Sequence, residues 1–109
     1  MPLPYEVIRL FTSPVGYLVE IEHPRHLIDT PETGREWLWV TDRSVTSLRP
    51  LRRDDATQCP RIFREAQLQQ LDDQHAQLSW PNGERYTLIA SAMPVLPAEQ
   101  HQLIHNHLS

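Results

Sequence analysis

The 109-residue sequence predicts an α+β fold: an antiparallel sheet of about five or six strands, with one or two helices that include a C-terminal one. Three observations predict it. Residues 74–90 read as a β-hairpin around Pro81-Asn82-Gly83, the first half alternates with a strand period, and residues 98–108 carry a helical apolar stripe. The length suits a single domain over 1–109, long enough to bury a core without disulfides or a structural metal.

Tyr5 to Thr12 is rich in β-branched and aromatic residues and reads as a first strand. Ser13-Pro14-Val15-Gly16 turns the chain into Tyr17–Glu22, where Tyr17, Val19 and Ile21 face one way and Glu20 and Glu22 the other. His23 to Arg35, punctuated by Pro24, Pro31 and Gly34, reads as a loop with room for one helical turn after Thr30. Glu36–Thr41 is a third strand, Asp42-Arg43 a turn and Ser44–Arg49 a fourth strand; Pro50–Thr57 is polar and charged and belongs on the surface. Pro60 suits a first helical turn, and Ile62, Phe63 and Ala66 have helical spacing. They predict a short helix that ends near Ala66 or runs on to Leu71, with Gln67–Leu71 as an extended edge the alternative.

The 74–90 hairpin has two possible registers. A two-residue Asn-Gly turn sets Trp80 opposite Arg85. A three-residue loop with a glycine bulge sets Leu78 opposite Tyr86 and Ala76 opposite Leu88. Opposed residues share a face, so the second register gathers Ala76, Leu78, Trp80, Tyr86, Leu88 and Ala90 on one side, and it is the one preferred. Met93-Pro94-Val95-Leu96-Pro97 ends the strand. Ala98–Leu108 follows as a helix with Leu103, Ile104, His107 and Leu108 on one face and His101 and His105 at its border.

Ten basic residues, every one arginine, stand against fourteen acidic ones for a net charge of −4. That balance argues against nonspecific nucleic-acid binding. Arginine-only usage matches a G+C-rich genome, or selection for bidentate recognition of carboxylate and phosphate. The start lacks a basic region followed by an apolar run, and no apolar segment reaches bilayer-spanning length. A cytoplasmic protein is the expectation.

Candidate chemistry is sparse. His101 and His105, four apart on one helix, can share a metal ion, but surface or capping histidines are the plainer reading, and no H-E-x-x-H pattern is present. His107 reads as a partly buried packing residue. His23-Pro24-Arg25-His26 with Asp29 offers a general base without a recognisable nucleophile. The lone Cys59, before Pro60, is a thiol at a candidate helix start or simply a small buried residue. Trp37 and Trp39 share a strand face, so both are core or both are exposed. Core is the preferred reading; if both were exposed, Trp37 and Trp39 with Arg43 or Arg85 would make a binding surface.

Ile62, Phe63, Leu68, Leu78, Trp80, Pro81, Asn82 and Gly83 follow the pattern of a family of small bacterial domains of unknown function. That pattern is an apolar-Phe pair, a short extended segment, and a strand running into Trp-Pro-Asn-Gly. The chain resembles that family over roughly residues 62–83 and departs from it at Glu84-Arg85-Tyr86-Thr87-Leu88. The resemblance implies a small α+β fold and a non-enzymatic role. Together these readings lead to a non-enzymatic binding protein that engages another protein or a second copy of itself, without a cofactor. An immunity, antitoxin or anti-defence role fits such a chain. The alternative is a small-molecule- or metal-binding protein, or an enzyme, using the loop and C-terminal histidines.

Overall fold

The computed structural model describes residues 5–22, 35–51, 60–93 and 95–108. Eight antiparallel strands form one sheet: β1 (Glu6–Thr12), β2 (Tyr17–Glu22), β3 (Arg35–Val40), β4 (Val45–Leu48), β5 (Arg61–Ile62), β6 (Gln67–Gln70), β7 (His75–Ser79) and β8 (Arg85–Ala90). One helix, α1 (Ala98–Leu108), follows among the described residues. The order across the sheet is β4-β3-β2-β1-β8-β7-β6-β5, and the sheet curls into a half-barrel.

This corrects the expected fold class. The sheet has eight strands rather than five or six, and the residues read as a second helix are β5 and β6. Helical spacing would have put Ile62 beside Phe63 and Ala66; instead Phe63 and Ala66 point inward while Ile62 is exposed. The backbone of this stretch finds ladder partners on both sides, with Arg61 and Ile62 opposite Leu68 and Gln67, and Leu68 opposite Leu78. Tertiary pairing outweighs a short local helical pattern.

Turn chemistry explains the hairpins. The Ser13 hydroxyl accepts the Val15 and Gly16 amides at 3.2 and 3.1 Å, which closes β1 onto β2. Thr41 Oγ1 accepts the Arg43 and Ser44 amides between β3 and β4. Asp72 accepts the Gln74 and His75 amides, each at 2.8 Å, between β6 and β7. The backbone N–H of Gln74 and the ring of His75 are the main reasons its carboxyl is held below the ordinary range. The last hairpin has the three-residue loop: Trp80 N–H donates to Glu84 O at 2.8 Å and Gly83 sits at φ 97°. Leu78 faces Tyr86 and Ala76 faces Leu88, the preferred register.

Because the sheet curls, its two edges meet. Pro50 bridges Phe63; Leu51 N–H donates to Ile62 O at 3.0 Å and Arg64 N–H to Arg49 O at 2.8 Å. Glu65 reinforces this clasp, accepting from the Arg49 amide at 2.9 Å and from its guanidinium at 2.8 Å.

Two cores result. The inner one lies in the hollow of the sheet and is dominated by Phe11, Leu18, Trp37, Trp39, Phe63, Leu78 and Leu88. The outer one lies between the convex side of β1–β4 and α1, where Val19, Ile21, Leu38 and Val40 meet Leu96 and Ile104. Strands β2 and β3 are therefore covered on both faces. Glu20, on the inward face of β2, is only 4% exposed.

Candidate functional site

Strand alternation sends Trp37 and Trp39 inward, with 5% and 6% of their surface exposed, so both are core. Trp39 stacks on Tyr86 at 5.4 Å between centroids and meets the edge of Trp80 at 6.2 Å. Trp37 packs on Phe11 and Phe63 at 6.4 and 6.1 Å, and the Arg61 guanidinium caps its ring at 4.9 Å. These rings fill the hollow, and the indole N–H groups of Trp37 and Trp80 have no hydrogen-bond partner among the described residues.

The four residues considered for a binding surface do not come together on one. Arg43 is exposed in the β3–β4 turn. Arg85 is exposed at the start of β8 and alternates with the inward Tyr86, so it lies on the convex side.

The histidines are also separated in role. His101 Nδ1 lies 2.7 Å from the hydroxyl of buried Tyr5, which ties the start of β1 to α1. Burial lowers the pKa of His101 and raises that of Tyr5. His105 is exposed one turn away. His107 is exposed as well, correcting its reading as a packing residue: the buried stripe of α1 runs through Gln100 and Ile104, flanked by Leu103 and Leu108. Among the described residues no three His, Cys, Asp or Glu side chains are grouped to hold a metal. His23, Arg25, His26, Asp29, Cys59 and the turn after Thr30 lie outside the described residues.

Two features emerge that the sequence reading did not single out. The first is the convex face of β6–β8. Among the described residues, helix α1 and the segment before it pack on β1–β4 and not on β6–β8, so Gln67, Gln69, Gln77, Ser79, Arg85 and Thr87 face outward around Ile89, which is 51% exposed. Alternation in each strand shows the polar side, but where the helix stops covering the sheet carries no local signal.

The second is a seam between β1 and β8. They pair only at Phe11–Ala90 and Thr12–Ile89, and Ser91 N–H extends the contact to Leu10 O at 2.9 Å. A bulge at Ile8 lets β1 veer away, leaving Glu6–Arg9 without a strand on that side among the described residues. The seam opens into a shallow cleft of about 280 Å³ lined by Ile8, Arg9, Phe11, Gln70, Asp73 and Ala90 among others. Arg9, one of the lining residues, has its Nε 3.8 Å from the buried Glu20 carboxylate.

No described helix is long and apolar enough to cross a membrane. Set against family models, curated proteins and solved structures, the chain matches none of them.

Proposed function

We propose that this is a non-enzymatic binding protein whose partner is another protein, held on the convex face of β6–β8. One observation carries the reading: a sheet face of three strands that no described residue covers, on a molecule whose inner hollow is already filled by aromatic side chains. Gln67, Gln69, Gln77 and Thr87 offer amide and hydroxyl groups of both hydrogen-bonding senses, Arg85 offers a forked cation, and Ile89 a central apolar contact. A cytoplasmic setting, and an immunity, antitoxin or anti-defence role, are the finer forms of this proposal; size and acidic charge support them by association only.

The test is capture from an extract of the source cells on immobilised chain, with three variants in parallel. Arg85→Glu and Thr87→Arg, both on the face, are expected to abolish retention of the partner. Arg43→Glu, in the β3–β4 turn, is expected to leave it intact. Retention that is insensitive to the two face variants sinks the proposal.

A further inference from the structure

The stretch of β1 that has no strand on its β8 side among the described residues has a property unrelated to the convex face: it is complementary to itself. We infer that two copies of the chain associate edge to edge, β1 against β1, through Glu6–Arg9. In an antiparallel pairing about a twofold axis between Val7 and Ile8, Glu6 stands opposite Arg9 of the second copy and Val7 opposite its Ile8. The opposite pairing repeats at the other end.

An ion pair needs both side chains on one face, and the bulge supplies this. Glu6 pairs with Glu22 across β2 and Arg9 pairs with Glu20. Glu20 and Glu22 are two residues apart on β2, hence on the same face. Glu6 and Arg9 therefore share that face although they are three residues apart, because the bulge at Ile8 inserts one extra residue. In a regular strand they would point to opposite sides and the complementarity would vanish.

The charges of the isolated chain also ask for such a neighbour. Glu6 stands directly across from Glu22, a like-charge cross-strand pair, and Glu22 is held by Arg35 at 3.8 Å. Arg9 of a second copy on the other side of Glu6 extends the row to Arg35, Glu22, Glu6, Arg9, Glu20 with the acidic pair flanked by a guanidinium at each end. Open backbone edges recruit strands in general. The segment that follows Ser91, whose N–H bonds Leu10 O, carries Met93 and Val95, at 70% and 68% the most exposed large hydrophobic residues among the described ones.

Sedimentation or light scattering over a wide concentration range, with amide hydrogen exchange, tests this. The wild type is expected to shift from monomer to dimer as concentration rises, with protection growing at Val7 and Ile8. Glu6→Arg sets two like-charged pairs across the axis and is expected to weaken association at least about tenfold. At concentrations where both chains are monomeric, its thermal midpoint should stay at or above that of the wild type, because the Glu6–Glu22 contact is removed. A chain that stays monomeric throughout overturns the inference. So does a dimer insensitive to Glu6→Arg, or protection of Val7 and Ile8 that only a foreign protein produces. Arg85→Glu leaves this association unchanged, which separates it from binding on the convex face.

Discussion

Gly16 is a position where the chain has no room for a side chain. A Cβ there would stand 2.7 Å from the Val40 carbonyl oxygen and 3.1 Å from the Trp39 ring, both fixed parts of β3. Gly16→Ala is expected to destabilise the protein by about 1–3 kcal/mol, read as a lower urea midpoint at unchanged slope. The Tyr5–His101 contact makes a second single-residue prediction. Burial lowers the His101 pKa, so the unfolded chain takes up a proton at higher pH than the folded one. Stability is therefore complete above the unfolded value of about 6.5, declines as pH falls from there towards the lower folded value, and levels off below it. Urea midpoints between neutral pH and about pH 5 should show this decline, and His101→Gln should flatten it. Neither residue reveals its constraint locally, since Val40 and Tyr5 are 24 and 96 positions away.

The clasp between β4 and β5 depends on Glu65. Partial burial works to raise its pKa, but the Arg49 backbone N–H and guanidinium outweigh this and hold the carboxyl below its usual range. A depressed carboxylate stabilises the fold above its unfolded pKa and loses that contribution as pH falls through the folded value. Glu65→Gln is expected to cost about 1 kcal/mol at neutral pH, a modest figure because Arg49 is largely solvated, and to remove this part of the acid sensitivity. Helix α1 depends on apolar burial instead. Ile104 is fully buried against the convex side of the sheet, and Ile104→Ala should cost about 2–5 kcal/mol in the same urea measurement. The boundaries of α1 were legible because its stripe is periodic and Pro97 precedes it. Those of β5 were not, and β6 was legible only as the alternative extended edge Gln67–Leu71, because two- and four-residue strands are too short to show a period.

The two cores share β2 and β3, so the molecule should unfold as one unit. Tryptophan fluorescence reports the inner core, which holds Trp37 and Trp39, and far-ultraviolet circular dichroism at helical wavelengths reports α1 on the outer core. Their urea transitions are expected to coincide; separate midpoints would mean that α1 undocks independently. Much of this architecture could be read from the chain alone. Pro81-Asn82-Gly83 with flanking alternation specified the last hairpin down to its register, Tyr17–Glu22 was delimited as a strand, and Trp37 with Trp39 were assigned to one face. Each of these rests on turn geometry or a side-chain period, which act between residues close in sequence. The count of eight strands, the closing of the edges at Pro50 and Phe63, the burial of both faces of β2, and a convex face of β6–β8 that no described residue covers could not be read that way. They depend on how a twisted sheet curls and on where α1 comes to rest, contacts between residues far apart in the chain that leave no period in the sequence.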